Sequence, residues 1–105
     1  MILSRPFSYN DENFTVIGNV LFVHVRHDEG ASPNTRLCEI PPAIYDRLLF
    51  YTNVGTSCYP VDGYAAGNVA FAAIKYENKF YLTNTVKIIE YNNRYLYTTF
   101  ILKDI

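Results

Sequence analysis

Residues 69–103, VAFAAIKYENKFYLTNTVKIIEYNNRYLYTTFILK, decide the fold of this chain. They contain three runs rich in β-branched and aromatic residues, at positions 69–76, 80–91 and 95–103, and such runs favour β-strands. Asn92-Asn93 lies between the last two runs, and Asn accepts the positive φ that both central positions of a type I′ turn require. It therefore predicts a two-residue hairpin. Glu77-Asn78 predicts a turn as well, although Glu resists positive φ.

The register of the hairpin at 92–93 determines what each face of the ribbon presents. It pairs Thr85 with Phe100 on one face and Ile88 with Tyr97 on the other. Apolar side chains then lie on both faces, so both faces need cover. We therefore expect this ribbon near the middle of a curled sheet or small barrel rather than at an open edge.

Shorter strands are predicted before this region. Residues 2–13 favour a short strand followed by a loop. Residues 14–27 alternate apolar and polar side chains, and Gly18-Asn19 within them predicts a II′ hairpin turn, with a bulge as the alternative. Residues 37–40 predict another short strand. Residues 53–68 hold three glycines and a proline, and this composition predicts a long irregular loop, a kind of segment that often carries function.

One helix is predicted, over residues 42–52. Pro41-Pro42 opens it, because proline is tolerated in a first helical turn, and apolar residues then recur at helical spacing. Its buried side is expected to hold Ile44, Leu48 and Leu49. The fold class that follows is α+β: a single domain over residues 1–105, with a small, mainly antiparallel, five- or six-stranded curled sheet or barrel and one covering helix.

Composition limits the classes of function. The chain has 105 residues, a formal net charge of −1 and 18% charged residues, which is typical of a folded domain and less basic than most proteins that track phosphates. Arg5 and Pro6 interrupt any signal-peptide core, and no run approaches the ~18 apolar residues of a membrane span. We expect a cytoplasmic protein, of a cell or of an infected host, with no membrane partner and with Cys38 and Cys58 reduced.

Tyrosine, asparagine and isoleucine are frequent, at ten, ten and nine residues, and all three have AT-rich codons. This composition favours a phage, mobile-element or AT-rich bacterial origin.

Patterns that resemble catalytic or metal sites have simpler explanations. The glycines of residues 55–67 lack the Gly-Lys-Ser/Thr ending of a phosphate-binding loop. His24 and His27 are three apart on a predicted strand, so they point to opposite faces and do not share a metal. Cys58 has no neighbouring Lys, Arg or helix start to activate it. Asp11-Glu12 is explained by solvation of a loop. The sequence therefore predicts no catalytic residue, no metal and no cofactor.

Tyrosines are the candidate binding residues. Tyr59 and Tyr64 lie in the predicted loop, where rigid rings in a Gly- and Pro-rich setting are typical of binding loops; the alternative is that both rings plug the end of a barrel. Tyr95 and Tyr97 project from one face of the last strand. Basic residues lie on neighbouring runs, and such a combination is typical of sheets on which single-stranded nucleic-acid bases stack: Lys75, Lys79, Lys87 and Arg94.

Three functions are compatible with these features. The first is a non-enzymatic protein-binding module, such as an inhibitor or accessory factor of phage or mobile-element origin, whose partner is another protein, for instance one of a host cell. It accounts for the tyrosines and for the lack of a coherent catalytic set. The alternative is single-stranded nucleic-acid binding through the Tyr/Lys face. A small hydrolase or nucleotide-handling enzyme is the third.

Overall fold

The structure, a computed structural model, describes residues 8–27, 30–58, 65–88 and 95–103. Within them the chain forms eight strands and one short helix, in this order: β1 Tyr9–Asn10, β2 Phe14–Ile17, β3 Val20–Arg26, β4 Arg36–Ile40, α1 Pro42–Tyr45, β5 Thr52–Cys58, β6 Ala65–Tyr76, β7 Lys79–Asn84 and β8 Tyr95–Ile101. The strands build one curled antiparallel sheet, a half-barrel, in the order β1-β2-β3-β8-β5-β6-β7-β4. The antiparallel sheet and the α+β class were predicted, but the strand count of five or six was too low.

Two tight turns form where the sequence predicted them. Ile17 pairs with Val20 across Gly18, whose φ of 62° fits the first central position of a II′ turn. Tyr76 pairs with Lys79 across a second two-residue connection. Glu77 there adopts a φ of 56° despite its side chain, so the sheet imposes a backbone conformation that Glu alone disfavours.

The predicted pairing of the last two runs is wrong. Strand β8 lies between β3 and β5, so Phe100 pairs with Leu21 instead of Thr85, and Tyr97 pairs with His24 instead of Ile88. The alternation of buried and exposed residues along β3 matches that of β8, so this long-range pairing places both sets of apolar side chains on one face. The turn at 92–93 itself lies outside the described residues.

The predicted helix is much shorter than residues 42–52. It ends after one turn, and Leu48 then forms an isolated antiparallel bridge with Leu102. Ile44 and Leu48 are buried as predicted, whereas Leu49 is 46% exposed and its predicted burial is wrong. The helix ends because the backbone groups that follow it pair with the end of the sheet. The same pairing turns the side chain of Leu49, the residue after Leu48, outward.

The predicted loop over residues 53–68 is largely strand. Strand β5 pairs with β6 through this region, and Gly55 lies opposite Val69. A side chain at Gly55 would collide with the carbonyl oxygen of Tyr97 and come within 2.6 Å of the Phe71 ring. This glycine therefore allows close strand packing, where composition alone indicated a turn.

The core lies on the inner, concave face of the sheet. Leu48, which was predicted to be buried, is 1% exposed, and Phe100 on β8 is 2% exposed. Most buried side chains alternate along the strands, so the opposite, outer face is left to solvent. The largest buried apolar side chains include Phe14, Leu21, Ile44, Leu48, Phe71, Leu82, Leu96 and Phe100. In the part of the chain that is described, no helix is long and apolar enough to cross a membrane.

Candidate protein-binding surface

The outer face of strands β2, β3, β8 and β5 exposes large apolar side chains. Val54 is 61% exposed and Ile17 is 64% exposed. Strand register places Ile17 near Ile101, because both residues pair with Val20. We call this set the outer patch: Ile17, Phe22, Val54, Tyr97 and Ile101.

A cluster of three aromatic rings borders the outer patch. The imidazole of His24 stacks on the phenol ring of Tyr97, with ring centroids 4.9 Å apart and 6° between the planes. The ring of Tyr95 lies 5.0 Å from that of His24 and 6.3 Å from that of Tyr97. Partial desolvation raises the pKa of Tyr97, with smaller contributions from Cys58 and Tyr95, so its hydroxyl remains a hydrogen-bond donor at neutral pH. Tyr95 and Tyr97 were candidate binding residues from the sequence, whereas His24 was considered there only as a metal ligand or base, and a binding role of the three rings stays a prediction.

A concave groove of about 570 Å³ crosses the patch between the loop at 11–13 and strand β5. Its floor is apolar and aromatic, with threonines between the larger side chains, and its rim at one end carries two carboxylates. The residues that line it are Asp11, Glu12, Asn13, Thr15, Phe22, Val23, His24, Val54, Gly55, Thr56, Tyr97, Thr98 and Thr99. This mixture of apolar floor and a few polar groups is typical of a binding site.

Asp11 fixes the acidic rim of the groove. Its Oδ1 accepts hydrogen bonds from the backbone N–H groups of Asn13 and Phe14, both at 2.8 Å. Its Oδ2 accepts a hydrogen bond from the Tyr9 hydroxyl at 2.9 Å. The loop is therefore held in one conformation and presents the exposed carboxylate of Glu12 beside the groove. Both residues are exposed, as expected for a solvated loop, and their adjacency in sequence gives no sign of the groove.

The basic residues expected beside the tyrosines lie elsewhere. Tyr97 pairs with Thr56 on β5, and Thr56 pairs with Asn68 on β6. Lys75 is seven residues beyond Asn68 along β6, about 23 Å from it at ~3.3 Å per residue. Lys79 is at the same far turn. Lys87 follows β7, whose neighbours are β4 and β6, and Arg94 lies outside the described residues. No Lys or Arg is among the described residues that line the groove.

Two other predicted binding residues, Tyr59 and Tyr64, lie outside the described residues, so their role stays a prediction. The candidate nucleophile Cys58 pairs with Tyr95 on one side of β8, while His24 lies on the other side, two strand spacings or about 10 Å away.

The histidines and acidic residues in the described part form no metal-binding group of three or more. The Nε2 atom of His27 is buried and has no hydrogen-bond partner there. The neighbours of His27 at positions 28 and 29 are outside that part.

Comparisons of the chain with protein-family models, with curated proteins and with solved structures find no match.

Proposed function

We propose that this protein is a non-enzymatic protein-binding module that holds its partner on the outer patch. The observation that supports it is the exposure of five large apolar side chains on one sheet face, around an aromatic cluster and a groove. Contiguous exposed apolar surface is unfavourable in water and marks interaction sites on soluble domains. Tyrosine in such a setting supplies much of the binding energy in protein interfaces.

The groove favours a protein over a nucleic acid as partner. Single-stranded nucleic acids bind where stacking rings are interleaved with cations that neutralise phosphates. Arg26 pairs with Tyr95 beside the ring cluster, but no Lys or Arg lines the groove within the described part of the chain, and Asp11 and Glu12 lie at its rim. Lys75 and Lys79 of the β6–β7 hairpin are far along the sheet from Tyr97. A phosphate backbone over this groove would meet negative charge.

That the protein is a binding module rather than an enzyme stays a prediction from the sequence, in which Cys58 has no activating neighbour. The further proposal, an inhibitor or accessory factor of phage or mobile-element origin that acts on a host protein, rests on composition alone.

Site-specific photo-crosslinking tests the proposal. A benzophenone amino acid replaces Phe22 in the patch or, as the control, Tyr76, which is also exposed but lies on β6. In lysate of the native host we expect a crosslinked product of defined mass from position 22 and none from position 76. Equal labelling from both positions, or no product from either, would contradict the proposal.

A second measurement uses two matched charge insertions. Val54→Asp places a carboxylate in the patch, and Val86→Asp places one on an exposed valine after β7. Only Val54→Asp should abolish capture of the crosslinked partner, because it buries a charge in the interface. Titration of labelled single-stranded oligonucleotides at increasing salt distinguishes the alternative: steeply salt-dependent binding that needs Tyr97 would favour nucleic acid.

A further inference from the structure

We propose that the groove binds an extended segment of the partner protein in which a basic side chain and an apolar side chain lie about four residues apart. This inference rests on the proposed function and adds the chemistry of the occupant. It comes from the asymmetry of the groove, which has carboxylates at one end and Val54 at the other.

The acidic end supplies a site for a cation. The Asp11 carboxylate already accepts three hydrogen bonds, from Asn13, Phe14 and Tyr9, and this fixes its position and leaves part of its acceptor capacity free. Glu12 is exposed and makes no hydrogen bond within the described residues. Two adjacent carboxylates without a lining Lys or Arg leave negative charge that a guanidinium or ammonium group neutralises.

The floor of the groove suits the rest of such a side chain. Phe22 is 46% exposed and lies on β3 two residues before His24, whose backbone N–H donates a hydrogen bond to the Asn13 carbonyl oxygen of the acidic loop. The methylene stem of Arg or Lys packs on an exposed ring while its charged end reaches the carboxylates, and a guanidinium stacks on such rings as well. This combination favours a basic residue over a purely apolar one at this end.

The spacing follows from the sheet geometry. The loop at 11–13 leads into β2, and β2, β3, β8 and β5 are consecutive in the sheet, so the path from this loop to Val54 on β5 crosses about three strand spacings, ~14 Å. An extended chain advances ~3.3 Å per residue, and side chains four positions apart point to the same side. A basic residue at one end of the groove and an apolar residue over Val54 are therefore separated by about four positions.

Selection from a displayed random-peptide library tests this chemistry. The library is selected on the immobilised wild-type protein and counter-selected on the Val54→Asp variant. We expect the enriched peptides to carry Arg or Lys about four positions from an aliphatic or aromatic residue. Enrichment without a basic residue, enrichment of acidic peptides, or no enrichment would overturn the inference.

A charge swap locates the cation. Glu12→Lys should weaken binding of the selected peptide about tenfold, and replacement of the peptide's basic residue by Glu should restore much of it, because the two charges then attract again. Glu39→Lys, an equal charge change on the exposed side of β4, is the control and should leave affinity unchanged.

The two proposals fail in distinguishable ways. If Val54→Asp abolishes binding while Glu12→Lys leaves it unchanged, the patch binds protein but the cation site is wrong. If Val54→Asp leaves peptide and partner binding unchanged, the outer patch is not the interface and the proposed function fails. Binding that depends on association of two copies of the chain, seen as a dimer in sedimentation that Val54→Asp dissociates, would also overturn the inference.

Discussion

His24 and Tyr97 stack face to face across strands β3 and β8, with their ring centroids 4.9 Å apart. The two residues are directly opposite each other in the strand register, at positions where both side chains point to the outer face. Residues 73 positions apart in sequence thus form one exposed aromatic surface. Cross-strand aromatic pairs stabilise a sheet by about 0.2–1 kcal/mol, so the stack alone is a small part of the fold's stability. Its exposure supports the proposed binding role.

Removal of the Tyr97 ring separates these roles. Tyr97→Ala is expected to weaken partner binding by about 2 kcal/mol or more, as truncation of an interface tyrosine does, while the free energy of unfolding falls by about 1 kcal/mol. Tyr76→Ala, a change of the same size at an exposed site on β6, should leave partner binding unchanged. Quantitative capture assays and urea unfolding provide the two measurements. Equal losses of partner binding in both variants would exclude a specific role for Tyr97.

Leu48 and Leu49 provide a matched test of the core. Leu48 is 1% exposed and packs in the core, whereas the next residue is 46% exposed. Leu48→Ala should lower the free energy of unfolding by about 2–5 kcal/mol because it leaves a cavity, and Phe100→Ala should cost a similar amount. Leu49→Ala should change it by about 0.5 kcal/mol or less. Urea unfolding midpoints that are equal for the two leucine variants would contradict this assignment of the faces.

The sequence predicted features that depend on neighbouring residues. The turn at Gly18 follows from the local backbone preference of glycine, and the burial of Leu48 follows from the local apolar pattern. Strand pairing was predicted less well, because the register of β8 is decided by β3 and β5, which are distant in sequence. Two adjacent runs joined by a turn-forming pair are usually expected to pair with each other. Here β8 pairs with β3 instead, because the alternation of buried and exposed residues is the same in these two strands.

The outer patch was partly predictable for the same reason. Tyr97 could be singled out by its residue type and strand position. The contributions of Phe22 and Val54 depend on which strands meet on the outer face, which no local pattern reveals. Gly55 was assigned to a loop because glycine in a polar stretch usually marks a turn. Its role is close strand approach, which only tertiary contacts determine.

Gly55 should be among the least replaceable glycines. Gly55→Ala places a methyl group against the Tyr97 carbonyl and the Phe71 ring, so strands β5 and β8 must separate. We expect a loss of about 3 kcal/mol or more, at the upper end of overpacking effects. Gly18→Ala is the control, because nothing lies within 4 Å of its Cβ position and it carries only the cost of a positive φ, about 1 kcal/mol. In thermal unfolding, the melting temperature of Gly55→Ala should be well below that of Gly18→Ala. The reverse order would contradict the packing argument.

Asn84 joins the end of β7 to the loop before β4. Its side-chain Oδ1 accepts a hydrogen bond from the Thr35 N–H at 3.1 Å, and its Nδ2 donates to the carbonyl oxygens of Ser32 and Val86 at 2.9 and 2.8 Å. The residue is fully buried, so the loss of its amide leaves these backbone groups without a partner away from water.

Asn84→Leu, which has nearly the same size, should therefore lower the free energy of unfolding by about 3 kcal/mol. Asn53→Leu is a control on an exposed asparagine and should cost less. Amide hydrogen exchange at Thr35 gives a local readout, since this N–H should exchange faster in Asn84→Leu and unchanged in Asn53→Leu. Unaltered exchange at Thr35 in both variants would show that the loop holds its position without the Asn84 side chain.

Cys38 should be an unreactive thiol in the folded protein. Both cysteines are free, and burial raises the pKa of the Cys38 thiol from 9.0 to about 12, with a smaller contribution from the negative charge of Asp11. The thiolate is the form that reacts with alkylating reagents. At pH 8 we expect iodoacetamide to modify Cys38 about a thousandfold more slowly in the folded than in the urea-unfolded chain. Peptide mapping by mass spectrometry distinguishes Cys38 from Cys58 in the same sample.

The same pKa shift predicts how stability depends on pH. The folded state holds the Cys38 proton until the pH approaches 12, whereas the unfolded chain releases it near 9.0. The stabilisation that comes from this bound proton is therefore fully present below pH 9 and is lost as the pH rises toward 12. Cys38→Ala lacks this titration, so the difference in the free energy of unfolding between wild type and variant should narrow above pH 9. Equal alkylation rates in folded and unfolded protein, or a constant difference across that range, would show that Cys38 is accessible to water.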